Sequence, residues 1–144
     1  MEPYLALFEP DHQADGYVVT FPDFGYGVTQ GETDAEAMEM AQDLLMLAIG
    51  DYIRESRPLP TTGRHRGSKF RSGALPALQA AKVDLYGTFL ESGLTKAELA
   101  RRIGIPKTHI ERLFSLRRHS RLNGIEAGFA ALGKRLHVEA RNAA

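Results

Sequence analysis

At Arg57-Pro58-Leu59-Pro60 the chain can no longer be helical, and around the same residues its charge changes sign. Proline lacks the amide hydrogen that a helix interior needs, and the residue before each proline is pushed to extended backbone. These four positions therefore separate whatever lies on either side. Upstream, residues 1–60 carry 12 acidic and 2 basic side chains, a net charge of −10. Downstream, residues 61–144 carry 6 acidic and 16 basic ones, a net charge of +10, so the formal charge of zero arises by cancellation. Charges sorted in this way create two fields of opposite sign, one suited to a cationic partner and the other to a polyanion such as DNA. The plainer reading is two solvated surfaces sorted by chance, and the motifs decide between them.

A chain of 144 residues is one average domain or two small ones. Modules of ~60 residues bury little surface and are marginal alone, so docking between halves or oligomerisation is expected. The absence of cysteine removes disulfides and thiolate metal sites without fixing a redox compartment. Residues 1–14 hold acids and a strand-like pattern instead of a basic region followed by an apolar core, which excludes a signal peptide. Apolar stretches fall far short of the ~20 residues of a membrane span, so the cytoplasm is the default location and no membrane partner is expected.

The acidic half reads as strand, turn, strand, strand, helix. Tyr4 to Glu9 and Tyr17 to Phe21 are apolar and β-branched runs joined by the turn-rich Asp11 to Gly16, a hairpin with a long loop. Pro22 to Gly27 is a loop, and Val28, Thr29 and Gln30 form a third short strand ended by Gly31. A helix follows from Asp34 to about Ser56, with Thr33 at its N-cap and Glu36 completing a capping box. Ala37, Ala41, Leu44, Leu45, Ala48, Ile49 and Tyr52 make one apolar stripe to lie on a sheet, leaving Asp34, Glu36, Glu39 and Asp43 mostly outside it.

Residues 57–72, with Arg64, Arg66, Lys69 and Arg71 among Gly and Ser, read as a flexible basic linker or, more sharply, as an arm that touches phosphate. Phe70 to Leu75 is able to add a short strand to the first sheet. From Pro76 to Gly133 the pattern is helical: a stripe of Leu78, Ala81, Leu85, Phe89 and Leu90, then short helices over Thr95 to Ile103, Lys107 to Ser115 and Asn123 to Leu132. Leu136 to Glu139 is a possible final strand. The expected class is α+β, with an αβ domain over residues 1–75 and an all-α domain over 76–144.

Residues Thr95 to Phe114 carry the spacing of a helix-turn-helix. Thr95 and Glu98 form a second capping box, Leu99 and Ile103 an inner face, and Ala100 is small where two helices would cross. Gly104 permits a left-handed turn, and Ile105, Ile110 and Leu113 supply the inner face of the second helix. This leaves Lys107, Thr108, Glu111, Arg112 and Ser115 facing outward, where the N-terminal part of the second helix would enter a major groove. Arg112 fits bidentate reading of guanine, Lys107 a base or a phosphate, and Glu111 a cytosine amine or repulsion of the wrong register. Arg117, Arg118, His119 and Arg121 follow in a loop suited to neutralising the DNA backbone, and Thr95 and Lys96 complete the candidate DNA-contacting set.

The motif Glu9-x-Asp11, then Asp15-Gly16-Tyr17-x-Val19-x-Phe21-Pro22-Asp23, Thr29-Gln30-Gly31 and Glu36-Ala37, resembles the HicB antitoxin family of HicA–HicB toxin–antitoxin modules. The segment from Leu94 through Arg102-Ile103-Gly104 to Ala131-Leu132-Gly133-Lys134 is similar to the subset carrying a helix-turn-helix in place of a ribbon-helix-helix. One departure is Phe24-Gly25-Tyr26-Gly27, where the family runs through Pro-Gly before Val-Thr. The resemblance implies a partial, degenerate RNase H-like αβ domain that binds and occludes a small HicA-like ribonuclease toxin. It also implies a helix-turn-helix domain that represses its own operon by binding operator DNA. The acidic half suits a basic toxin independently. The candidate toxin-contacting groups are Glu9, Asp11, Asp15 and Asp23 near strand ends, and Glu36, Glu39 and Asp43 along the helix. A homodimer or higher oligomer through the C-terminal half follows from reading two half-sites, with Phe129, Leu132 and Leu136 as contact candidates whose commoner use is core packing.

No cofactor is expected, and catalysis is disfavoured. Two-metal nucleases need carboxylates converging from strand interiors, whereas Tyr4-Leu-Ala-Leu-Phe8 holds none and Glu9 and Asp11 lie at its end. His12, His65, His109, His119 and His137 are scattered without the spacing of a helical metal pair. The competing function is a one-component transcriptional regulator with a small-molecule-sensing N-terminal domain, which would need an enclosed apolar pocket where an antitoxin needs an exposed acidic surface.

Overall fold

Leu5–Pro10 (β1) and Tyr17–Thr20 (β2) pair as an antiparallel hairpin, with Phe8 opposite Val19 and Pro10 opposite Tyr17. Val28–Gly31 (β3) pairs with β2, and Phe70–Ser72 (β4) pairs with the other edge of β1, so the sheet order is β3-β2-β1-β4 with every neighbour antiparallel. The computed structural model describes residues 2–143. Five helices complete these residues: α1 Asp34–Arg54, α2 Ala77–Ser92, α3 Lys96–Ile103, α4 Lys107–Phe114 and α5 Leu122–Ala131. The chain is thus of mixed α and β class. It divides into two compact units between Ala80 and Ala81, inside α2.

In the first unit, strand alternation sends Ala6, Phe8, Val19 and Gly31 to the face that α1 covers. α1 answers with Ala37, Ala41, Leu45, Ala48, Ile49 and Ile53, all buried. The small side chains let the helix come close to the sheet: a Cβ added at Gly31 would sit 2.4 Å from the Ala37 amide nitrogen. Leu44 and Tyr52 of the expected stripe are half-buried at its margin, and Ile53 takes the buried place one turn past Ile49. Thr33 caps the helix by accepting from the Glu36 amide, but the Glu36 carboxylate accepts from the Glu32 amide, one residue further back than a capping box requires.

Residues 57–72 are not a free linker. The Tyr4 hydroxyl donates to the Pro60 carbonyl at 2.6 Å, Asp23 Oδ1 accepts from the Gly63 amide at 2.9 Å, and His65 Nε2 lies 2.7 Å from the same oxygen. His65 stacks on Phe70, and β4 then zips onto β1, extended by the Phe8 amide donating to Lys69 and the Gly73 amide to Tyr4. Arg71, read from sequence as part of a basic arm, is instead committed to the sheet. Its guanidinium lies 4.5 Å from the Phe8 ring centre and 5.5 Å from that of Tyr17, and pairs with Asp34 at the start of α1. The departing residue Phe24 is buried among Tyr4, Phe21 and Tyr52. Burial, reinforced by the charge of Asp23 and by Tyr52, pushes the Tyr4 phenol up to about 12. The folded state therefore favours the neutral phenol, and its share of the stability is lost as pH rises from the ordinary tyrosine value towards that figure. Replacing Asp23 by alanine removes the acceptor that holds Gly63 and His65 and should lower the unfolding free energy by ~1–3 kcal/mol, measured by urea denaturation.

The second unit is helical. Leu85, Tyr86 and Phe89 of α2 meet Leu99 and Ala100 of α3, Ile110, Leu113 and Phe114 of α4, and Ile125 and Phe129 of α5 in one buried core. Phe114 sits between Tyr86 and Phe89, with ring centres 5.5 and 5.1 Å away. Phe129 is therefore a core residue, which removes it from the expected oligomer contacts; Leu132 and Leu136 are half-buried. Leu136 to Glu139 forms no strand: among the described residues none pairs with it, and Val138 is 69% exposed.

Candidate binding surfaces

Each unit presents a surface dominated by one sign. In the first, the β1–β2 turn and the entry to α1 enclose a concavity of about 340 Å³ lined by Asp11, Ala14, Asp15, Gln30, Gly31, Glu32, Glu36 and Met40. The structure thus brings Asp11, Asp15 and Glu36 together, although the first two come from a turn and the third from a helix. It adds Glu32, which sequence reading missed, although its place beside the N-cap Thr33 marked it as the helix threshold. Two of the four carboxylates also hold their own elements: Asp11 accepts from the Gln13 amide in the turn, and Glu36 from Glu32. No basic side chain lines the concavity, so a cation entering it meets only negative charge.

Glu9 is exposed at the end of β1, and Glu39 and Asp43 are exposed on α1. Met40 and Leu47, 37% and 45% exposed, stand two turns apart on the outer face of α1 with Asp43 between them. The helix therefore offers acidic groups interleaved with apolar contact area. Asp23 belongs to neither surface: its side chain is 6% exposed and occupied by Gly63 and His65. Asp23 therefore falls outside the contact set, because a carboxylate buried to position the chain cannot meet a partner.

In the second unit, Thr95 accepts from the Glu98 amide and the Glu98 carboxylate accepts from the Thr95 amide, so both halves of the capping box are made. The Thr95 hydroxyl is thereby committed to starting α3. Gly104 ends α3 at φ 85°, a left-handed conformation that the short path to α4 requires and that glycine adopts without a Cβ clash. α4 then buries Ile110, Leu113 and Phe114 and exposes Lys107, Thr108, Glu111 and Arg112, while Ser115 is half-buried at its C-cap.

Lys96 Nζ reaches Glu111 Oε1 at 2.7 Å, tying the first turn of α3 to α4. Arg117, Arg118, His119 and Arg121 are exposed in the loop that follows. Beside α4, a second concavity of about 400 Å³ has Ile103, Ile105, Leu113 and Ala127 in its walls, with His109, Arg112, His119 and Arg121 among its polar lining. Sequence reading had not given His109 this company. It also missed Lys82 of α2, which is fully buried and whose ammonium donates to the carbonyls of Arg112, Ser115 and Arg118. Burial pushes its pKa below the usual lysine value.

Among the described residues no group of His, Asp and Glu side chains is arranged to hold a metal, and no helix is long and apolar enough to cross a membrane. Comparison with known proteins supplies the family. The family model described as the HicB_like antitoxin of bacterial toxin-antitoxin system matches residues 3–84. Antitoxin HicB of Escherichia coli (strain K12) is 42% identical over 125 residues, 85% of this chain and 88% of that protein. Antitoxin HicB 2 of Photorhabdus laumondii subsp. laumondii is 38% identical over 137 residues, 95% of each. Among solved structures, a chain of a toxin–antitoxin complex from Streptococcus pneumoniae is 37% identical over 43% of this chain and 44% of its own, with a TM-score of 0.40. The chain, with an acidic concavity in one unit and exposed basic residues on a helix of the other, belongs to the HicB-like antitoxin family and is a regulatory antitoxin of a toxin–antitoxin system.

Proposed function

We propose that this antitoxin neutralises a small basic, HicA-like ribonuclease toxin with its first unit, a degenerate RNase H-like domain, and represses its own operon with its second. In the second unit α3 and α4 act as a helix-turn-helix on operator DNA, in a homodimer or higher oligomer that matches two half-sites. The observation that carries this reading is the segregation of the two surfaces: four carboxylates around one concavity in the first unit, and Lys107, Arg112, Arg117, Arg118 and Arg121 exposed in the second. The first concavity is lined by carboxylates, which suits a cationic protein surface better than an apolar effector and favours the antitoxin over a small-molecule sensor. In the free chain Glu111 is paired with Lys96, which draws it away from the groove-facing set, while Lys107 and Arg112 stay exposed on the same helix.

Two experiments divide the proposal. A chain cut after Leu75 keeps all four strands and α1, and should protect cells expressing the toxin while repressing nothing. A folded fragment that fails to bind the toxin would overturn the assignment of neutralisation to this unit. On the full chain, Arg112→Ala should weaken binding to the specific site by ~1–3 kcal/mol and relax discrimination at one base position, whereas Arg118→Ala should weaken all sequences alike and flatten the salt dependence. Equal losses for Arg112→Ala on specific and random duplexes would rule it out as a base reader.

A further inference from the structure

Lys82 is the only charged residue buried as a whole among the described residues. Its Nζ lies 3.1 Å from the Arg112 carbonyl, 2.7 Å from that of Ser115 and 2.5 Å from that of Arg118. An ammonium has three donors, and here they meet three acceptors, all of them backbone. Filling this space with an apolar side chain would avoid the desolvation of a charge, so packing alone does not account for a lysine. What the ammonium adds is directed donation. α4 ends at Phe114 and Ser115 turns to extended backbone at φ −70°, ψ 121°, so the helix does not continue past it, and the Arg112 carbonyl accepts from Lys82 Nζ and, at 3.4 Å, from the Ser120 hydroxyl. A positive charge at the end of a helix also complements its dipole. The same three contacts gather the bend after α4, where the chain changes direction and exposes Arg117 and Arg118.

We propose that Lys82 is a positioning residue for DNA binding: from inside the second unit it fixes the backbone at Arg112, Ser115 and Arg118, and so sets the directions in which Arg112, Arg117 and Arg118 point outward. This role rests on the DNA-binding reading above. Lys82 itself touches no DNA; it acts through the three carbonyls. Its loss should therefore resemble loss of phosphate contacts more than loss of a core residue.

The test uses the full-length chain and two duplexes of equal length, one carrying the region upstream of its own gene and one of random sequence. Lys82→Met keeps the volume and removes the donors. The variant is expected to remain folded by circular dichroism and to bind the upstream duplex about 10- to 100-fold more weakly at ~0.15 M salt. Its plot of log affinity against log salt should be shallower by about 1–2, because each lost phosphate contact contributes ~0.9 to the slope. Adding Arg118→Ala should then cost little beyond Lys82→Met, although the same change matters in the natural chain.

A folded Lys82→Met protein with unchanged salt slope and affinity, whatever its melting temperature, overturns the proposal and leaves Lys82 a stability element. If that variant does not fold, Lys82→Gln, which keeps two neutral donors, is measured in the same way. Failure of both to fold also decides for a purely structural role. If the natural chain binds both duplexes equally or not at all, the DNA-binding reading fails first and this role goes with it; a natural chain that discriminates beside unaffected variants isolates the failure to Lys82.

Discussion

Replacing Gly16 by alanine should destabilise the first unit by ~3 kcal/mol or more, a large share of the 5–15 kcal/mol typical of a folded domain. Gly16 closes the β1–β2 turn at φ 102°, where an L side chain is strained, and a Cβ there would lie 2.0 Å from the Gly31 carbonyl oxygen and 2.7 Å from the Glu32 Cα. Both obstacles are backbone, so no rotamer change relieves them. Gly31→Ala meets the same kind of obstruction from the other side, against the Ala37 amide and Cα at the start of α1. Thermal unfolding of each variant should show the first unit melting well below its natural temperature and toxin neutralisation lost with it. Binding to the upstream duplex should survive, since no residue of that turn belongs to the second unit. An unchanged melting profile for Gly16→Ala would mean that the turn and the helix entry do not approach as described.

The second large effect concerns the acidic concavity. Asp15 and Glu32 line it without holding the turn together through their side chains, unlike Asp11 and Glu36, so reversing them tests charge with little damage to the fold. The double variant Asp15→Lys, Glu32→Lys should slow association with the proposed basic toxin by ~10- to 100-fold at low salt. Most of that difference should vanish at high salt, as the screening length falls from ~10 Å towards ~3 Å. Reversing Glu91 and Glu126, exposed acids outside the first unit, changes net charge equally and serves as the control. Matching rates for the two double variants would show that overall charge matters and that this concavity does not.

The elements that local chemistry specifies were legible in the sequence. α1 was readable because Thr33 and its apolar spacing act within a few residues, and α3 because Thr95, Glu98 and Gly104 form a start and a stop close together. The hairpin was readable because its two alternating runs are neighbours in the chain. Long-range contacts were not. Nothing in the pattern of residues 57–66 announces that Asp23 and Tyr4 will hold Gly63 and Pro60, so a segment with the composition of a linker turned out to be fastened to the sheet. The converse error was Leu136 to Glu139, whose β-branched and aliphatic content found no strand to join. Lys82 does leave a trace in the sequence: it falls four residues after Leu78 and three before Leu85, inside the apolar stripe of α2, where a lysine is out of place unless the fold supplies acceptors. In the candidate sites, the outward set of α4 followed from helical spacing, whereas the meeting of Asp11, Asp15 and Glu36 depended on how the turn folds over the helix entry.

The position of β4 bears on how the protein is born. β1 lies inside the sheet, yet its second neighbour is Phe70–Ser72, which leaves the ribosome long after the hairpin and α1. Chains are released N-terminus first, so for part of every round of synthesis the free edge of β1 stands open, with amides ready to pair with any extended chain nearby. Once Ser72 has emerged the edge of β1 can close, before α3 and α4 have left the ribosome. On the proposed division of labour, messages broken downstream of that point would still yield protection without repression, and messages broken upstream of it would yield an open-edged hairpin that offers neither.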